Sequence, residues 1–407
     1  MIESVTASPS TRPGRGITVH AVLDSVASPD LSPRLRAFLA DRAPATPCLL
    51  IDLAVVRTNY HAMRAALPEA AIFYAVKANP APEVVRALAA EGSAFDVAST
   101  GEIDLCLAQG AAPESLSYGN PIKKAADIAY AHARGVRRFT FDAEGDLENL
   151  AEHAPGSRVW CRFLVDAPQS GTPFGKKFGC APAMARRLLI RAHELGLAVD
   201  GACFHVGSQH TDPAAWVAGI AEAGAIARDL ATVGVPTRSL NLGGGFPASY
   251  RDQQAPPLTA HAEAIRAAVA EHFDQAPELV VEPGRAIVAT AGMIRSEVVL
   301  VSRKSDDDEY RWVYLDIGRY SGLAETENEY IAYRLRTAHP ATPDGPVVIA
   351  GPTCDGDDVI YQNTPYRLPM ALRAGDHVDI LDAGAYTASY SSVSFNGFPP
   401  LPTVFVG

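Results

Sequence analysis

Residues 71–99 read AIFYAVKANPAPEVVRALAAEGSAFDVAS, and this stretch holds a complete strand–helix–strand unit. Ile72 to Ala78 is apolar, aromatic and β-branched, which suits a strand buried on both faces. Pro82 to Ala90 opens with proline, tolerated in the first turn of a helix, and continues with Val84, Val85 and Leu88 at helical spacing. Ala94 to Ala98 is again strand-like. Two strands joined by a helix form the parallel unit of an α/β fold, so the fold depends on how often the unit recurs.

Outward from this unit, the same alternation runs to about residue 285. Further strands are predicted at Leu116 to Gly119, Arg138 to Asp142, Val159 to Val165, Gly201 to Val206, Ser239 to Leu242 and Glu278 to Val281. Helical spacing covers Ile103 to Gln109, Lys123 to Arg134, Pro182 to Leu195, Ala214 to Thr232 and Ala260 to His272. Eight strands alternating with helices make a (β/α)8, or TIM, barrel. Beyond Arg285 the texture changes to short strand-like runs: Ile294 to Val301, Trp312 to Leu315, Val347 to Ala350, His377 to Leu381 and Thr403 to Val406. The acidic run Ser305 to Glu309 reads as a solvated hairpin tip. The expected division is a barrel over 46–285 and a mainly β C-terminal domain over 286–407. Residues 1–45 would be a tail with a segment, Val19 to Arg42, that joins the β domain or covers the barrel base.

Composition narrows the function classes. The 407 residues are 48% hydrophobic and 20% charged, as in a soluble globular protein, and no apolar run approaches the ~20 residues of a membrane span. The net charge of −11 lacks the basic footprint that nucleic acid demands. Met1 to Gly16 has no apolar centre of the kind a signal peptide carries, and the six cysteines are scattered without a CxxC pair, so a reducing cytoplasm and no metal site are expected.

In a barrel of this kind the chemistry collects at the C-terminal ends of the strands. There lie Lys77, Asp96, Arg162, His205 with Ser208, the triplet Gly243-Gly244-Gly245, and Glu282 with Gly284 and Arg285. An amine in an apolar run has its charged form disfavoured, which suits Schiff-base chemistry. A strand-end lysine more often snorkels to solvent; its neighbours favour function here. The glycines let backbone amides approach an anion, and a guanidinium matches phosphate geometry. Glu282 suits a protonated pyridine nitrogen, and His205 the face of its ring. Cys354 beside Asp355, in a Gly/Pro-rich loop, suggests a thiol acid and a receptor for a cation.

These residues stand in motifs, YAVKANP, FDVAS, FHVGS, GGGFP, EPGR, GPTCDG, GAYT and FNGF, whose order from about Thr46 to Leu401 resembles the fold-type III, alanine-racemase-like decarboxylases of basic amino acids. The resemblance implies pyridoxal 5'-phosphate held by Lys77, with Glu282 on the pyridine nitrogen and His205 stacked on the ring. It implies phosphate contacts from Ser208, Gly245, Arg285 and Tyr386, and a supporting cluster of Asp96 and Arg162. It further implies a homodimer with shared active sites, in which Cys354 and Asp355 reach the partner's site and Cys354 protonates the former α-carbon of the small-molecule amino-acid substrate.

The segment Asp316 to Thr326, including Tyr320, resembles the ornithine/lysine branch, and Phe395 in FNGF joins the expected substrate contacts. One departure stands out: the family usually has an aspartate for the distal ammonium where Asn328 falls here. Either Glu327 or Glu329 replaces it, or the substrate is arginine, citrulline, diaminobutyrate or another modified diamino acid. A catalytically silent homologue that binds a partner is a separate alternative, as is a racemase, which needs an opposing base, usually tyrosine, in place of the Cys354-Asp355 loop.

Overall fold

The computed structural model describes residues 31–165, 177–339 and 343–407; the expected tail over 1–16 and the start of the Val19 to Arg42 segment lie outside them. The end of that segment is a helix, Pro33–Asp41, capped by the Ser32 hydroxyl. Strand β1 (Cys48–Asp52) follows, buried along its length. Asp52 ends the strand and starts the next helix, Leu53–Ala66, by accepting the Ala54 N–H at 2.9 Å.

Eight strands then close into a parallel barrel: β2 (Ala70–Ala75), β3 (Ala94–Val97), β4 (Leu116–Tyr118), β5 (Arg138–Phe141), β6 (Arg158–Arg162), β7 (Ala198–Cys203), β8 (Ser239–Asn241) and β9 (Glu278–Val281). β2 pairs with both β3 and β9, which completes the circle. Each strand falls where the alternation predicts it, although most end sooner. The lumen is filled in part by Phe73, Trp160, Cys203 and Val280; Phe73 and Trp160 meet edge to face at 6.3 Å, and the indole N–H is satisfied by Ser239 Oγ at 2.9 Å.

The remaining strands form a second sheet: β10 (Gly292–Ser302), β11 (Arg311–Leu315), β12 (Leu335–Thr337), β13 (Asp344–Ala350), β14 (Val359–Ile360), β15 (Tyr366–Pro369), β16 (His377–Leu381) and β17 (Thr403–Val406). Its order is β12-β16-β10-β11-β13-β14, with β15 on β13. β1 joins this sheet and not the barrel, running antiparallel to β10 and parallel to β17. The expected barrel boundary at residue 46 therefore takes in a strand of the second sheet; a short apolar run ahead of a helix, such as Cys48 to Asp52, suits a barrel strand and a sheet strand alike. The acidic run lies in the exposed β10–β11 connection, where Asp308 accepts the backbone N–H groups of Lys304 and Ser305, both at 2.7 Å.

The two layers meet at the barrel's C-terminal mouth. The chain after β16 crosses it: Tyr386 N–H donates to Ala78 O at 2.8 Å, Asn79 Nδ2 to Gly384 O at 2.9 Å, and Ser389 Oγ to Lys77 O at 3.0 Å. Gly292 and Gly384 pass so closely that a Cβ on Gly292 would lie 2.3 Å from Gly384 Cα.

Candidate functional site

Lys77 does not sit within a strand. β2 stops at Ala75, and Val76–Ala78 form a single 3₁₀ turn closed by Asn79 N–H on Val76 O at 3.1 Å. The turn is held by the post-β16 chain described above, so Lys77 projects into a mouth lined also by Ala75, His205, Gly244, Glu282 and Tyr386. The mouth spans about 360 Å³, part of it open solvent, and the Lys77 side chain is 46% exposed.

The expected lowering of the Lys77 pKa is not found. Burial does disfavour the ammonium, but Asp96, whose Oδ2 accepts from Nζ at 3.2 Å, acts with Tyr386 and Glu282 to push it above its ordinary value. The groups that set its charge come from β3, from the residue just past β9 and from the chain after β16. Asp96 itself is buried against Gly119, where a Cβ would collide with its carboxylate.

Glu282, just past β9, is fixed from two sides. Its N–H donates to Gly243 O at 2.8 Å, and its Oε1 accepts from Asn241 Nδ2 at 2.6 Å. Burial, reinforced by Asp96, raises its carboxyl pKa to about 7 against the pull of Asn241, Lys77 and Arg162. His205 accepts the Gly207 N–H on Nδ1 at 2.9 Å. Burial, then the charges of Arg162 and Lys77, hold its imidazole well below the usual range and hence neutral. Arg162, at the end of β6, also lies over the Phe178 ring, 5.1 Å from its centroid.

The glycine triplet forms a close-packed turn. Gly243 and Gly245 have φ of +64° and +104°, a backbone that side chains resist. A Cβ on Gly244 would meet Glu282 O at 2.6 Å, and one on Gly245 would meet Gly207 O at the same 2.6 Å, so the cradle exists only without side chains. Gly284 likewise leaves no room beside Ala78 and the Tyr386 hydroxyl. Arg285 is buried beside the cradle, 5.0 Å from the Tyr386 ring centroid, with Nη2 donating to Ser208 Oγ at 3.3 Å. These backbone amides, hydroxyls and guanidinium are the donor set a phosphate needs.

Other expected site residues are not brought to this mouth: Cys354, Asp355, Tyr320, Phe395, Glu327 and Asn328 are absent from its described lining. They gather instead on an exposed face. Cys354 is an exposed free thiol whose N–H donates to Asn396 Oδ1 at 2.9 Å, and Tyr320 packs on Phe395 at 4.8 Å. Asn328 takes a left-handed backbone with φ of +52°. Glu327 is 61% exposed and lies 3.8 Å from Arg319. Glu329 is committed elsewhere, accepting from Asn363 N–H at 2.5 Å and Thr364 Oγ1 at 2.7 Å, so it does not stand in for the missing aspartate.

Three residues not singled out in the sequence hold the lining residues from behind. Asn241 joins the Gly243 N–H, accepted at 2.9 Å, to Glu282; an amide inside the apolar run Leu240 to Leu242 was its signal. Tyr250 accepts from Arg285 Nη1 at 2.8 Å. Glu325 accepts from both terminal nitrogens of Arg285, at 2.9 and 2.6 Å. Nothing in the polar run Glu325 to Glu329 distinguishes it by sequence.

Known proteins share this arrangement of sequence and fold. Residues 53–289 match the family model described as "Pyridoxal-dependent decarboxylase, pyridoxal binding domain". The lysine/ornithine decarboxylase of Selenomonas ruminantium is 36% identical over 368 residues, covering 90% of this chain and 91% of that protein. The ornithine decarboxylase of Schizosaccharomyces pombe is 33% identical, covering 84% and 79%. Among solved structures, the lysine/ornithine decarboxylase of Vibrio vulnificus complexed with cadaverine superimposes with a TM-score of 0.83 at 33% identity, over 93% of this chain and all (100%) of the other.

Proposed function

The chain belongs to the pyridoxal-dependent decarboxylases, a carboxy-lyase family acting on basic amino acids with pyridoxal phosphate, and we propose that its substrates are ornithine and lysine, converted to their diamines. The observation that carries this reading is the convergence of Lys77, Glu282 and the glycine–Arg285 cradle on one mouth. The chain bearing it is 36% identical to a lysine/ornithine decarboxylase over nearly its whole length.

The cofactor, when bound, supplies an electron sink for the pair left behind as carbon dioxide departs. The glycine turn suits a phosphate because its close packing against Phe204, Gly207 and Glu282 backbone admits no side chain, which leaves main chain at the rim of the mouth beside Ser208 and Arg285. In this reading Gly243, Gly244, Gly245, Gly284, Ser208, Arg285 and Tyr386 hold the phosphate, and Lys77 holds the cofactor's reactive end. Asp96 orients the Lys77 amine through its 3.2 Å contact, and Arg162 supports the same cluster. Glu282, able to hold or release a proton near neutrality, pairs with the pyridine nitrogen, and Asn241 fixes its orientation. Neutral His205 offers an uncharged ring to stack against the cofactor.

Cys354 is the proposed acid that returns a proton to the α-carbon, and Asp355 the receptor for the substrate's distal cation. Since both lie on an exposed face with Tyr320 and Phe395, they serve a partner subunit's mouth, and the active form is a homodimer. Exposed Tyr390 and Val393 in the same loop support burial of that face. Mixing inactive K77A and C354A proteins should restore roughly a quarter of wild-type activity by random pairing; no recovery after verified subunit exchange refutes shared sites. Five of the six cysteines are buried and all are unpaired, which supports a reducing, cytoplasmic setting, where the diamine products would feed polyamine synthesis.

The deciding experiment incubates cofactor-loaded protein with ornithine, lysine, arginine, citrulline, diaminobutyrate and diaminopimelate, following carbon dioxide and amine products. Preferred turnover of ornithine or lysine is expected. Preference for another member moves the substrate assignment to the Glu327-Asn328 turn, and silence on all six overturns the reading.

A further inference from the structure

Arg285 has its four terminal N–H groups already committed. Nη1 donates to the Tyr250 hydroxyl at 2.8 Å and Glu325 Oε2 at 2.9 Å; Nη2 donates to Ser208 Oγ at 3.3 Å and Glu325 Oε1 at 2.6 Å. The remaining donor, Nε–H, is buried and has no partner among the described residues. The two side chains of the ion pair are only 3% and 11% exposed. A phosphate would bind this guanidinium through the same fork of donors that Glu325 now occupies, and it would meet a charge that Glu325 already balances.

We propose that Glu325 is an internal competitor for the cofactor's phosphate. By occupying Arg285 it leaves the grip on the cofactor chiefly to the glycine cradle and the hydroxyls, so the cofactor exchanges more readily than Arg285 alone would permit. Glu325 acts through Arg285 and is in that sense a positioning residue. The inference rests on the cofactor-binding reading above.

The competition reaches beyond the phosphate. Glu325 lies in the turn Ala324–Glu329, which also carries Glu327 and Asn328. That turn is pinned around it by Ile331 N–H on Glu325 O at 3.0 Å and by Thr326 Oγ1 on Leu323 O at 2.6 Å. Glu325 thus joins Arg285 to the turn that bears the unusual asparagine.

The plainer account is that Glu325 neutralises a buried guanidinium for stability alone, and removing one member of such a pair is costly. The test therefore uses E325Q, which keeps the size and one acceptor while removing the charge, and E325A as a second variant should E325Q not fold. Full-length wild type and variants, stripped of cofactor, are titrated with pyridoxal phosphate; the absorbance of the Lys77-bound chromophore gives Kd, and dilution gives the release rate. Competition predicts a Kd lower by at least about fivefold in E325Q, with slower release and inorganic phosphate a stronger competitor than in wild type. An unchanged or raised Kd in the folded variants overturns the proposal, since it makes Glu325 a support for Arg285. If wild type itself forms no chromophore, the cofactor reading fails and takes this inference with it.

Discussion

Two parts of the molecule carry chemistry-bearing side chains and treat them differently. At the ends of β2, β8 and β9, each polar group is fastened by a neighbour: Lys77 by Asp96, Glu282 by Asn241, the glycine turn by Asn241 and Glu282. In the turns at 319–329 and 351–358, Cys354, Asp355, Glu327 and Asn328 stand at an exposed face with mostly local partners. The barrel rim fixes its polar groups by bonds within the chain, whereas the outer turns leave theirs open to solvent. Substitutions at the rim should therefore disrupt the reaction itself, and substitutions in the turns should redistribute its specificity.

The contrast breaks first, if it breaks, at Lys77. K77A should abolish the cofactor's near-visible chromophore and lower carbon dioxide release on the order of 10³-fold or more; a variant that keeps the chromophore would remove Lys77 from the rim's chemistry. Next is Gly244, where a Cβ would meet Glu282 O at 2.6 Å, so G244A should cost about 1–3 kcal/mol of cofactor affinity, measured as a raised Kd. An unchanged Kd would mean that the cradle is not the cofactor's phosphate site.

Glu282 offers a pH test. Its carboxyl pKa rises from an ordinary 4.5 to about 7 in the fold, so it contributes stability that is fully present below pH 4.5 and lost as pH climbs through 7. E282Q should erase that loss, on the order of 2 kcal/mol, visible as a flatter melting temperature against pH between those limits. Parallel curves for wild type and variant would show that Glu282 is ionised throughout.

In the turns the expected effects are smaller and of a different kind. N328D should raise kcat/KM for ornithine or lysine by about tenfold, since a carboxylate adds roughly 1.5 kcal/mol to an ammonium contact, with the chromophore unchanged. No shift among substrates would place the distal cation elsewhere. E329Q should leave the substrate preference within about twofold, because Glu329 is spent on Asn363 and Thr364; a larger change would join it to the substrate pocket after all.

What sequence could reveal follows the same division. Strand β2 to β9 positions were readable because burial on both faces forces apolar runs between helices, and rim residues were readable because a barrel presents its chemistry at strand ends. The turn at Val76–Ala78 was not, since its cause lies in contacts from Gly384 to Ser389, remote in sequence. The charge state of Lys77 was misread for the same reason: adjacent apolar residues suggested a suppressed ammonium, while Asp96, Tyr386 and Glu282 come from other elements. Strand β1 escaped because five apolar-rich residues do not reveal which sheet they complete. The bond from Glu325 to Arg285 spans 40 positions and leaves no periodic trace.

The bracing of the lysine turn also imposes an order on biosynthesis. Lys77 leaves the ribosome long before the chain that supports its turn, as the bonds from Asn79 to Gly384 and from Ser389 to Lys77 span 305 and 312 positions, and β1 must wait for β17. A nascent chain tethered before residue 384 can display every rim residue from Lys77 to Arg285 without the clamp that shapes their mouth. A prematurely terminated product, however much barrel it contains, therefore lacks the segment that braces the lysine turn.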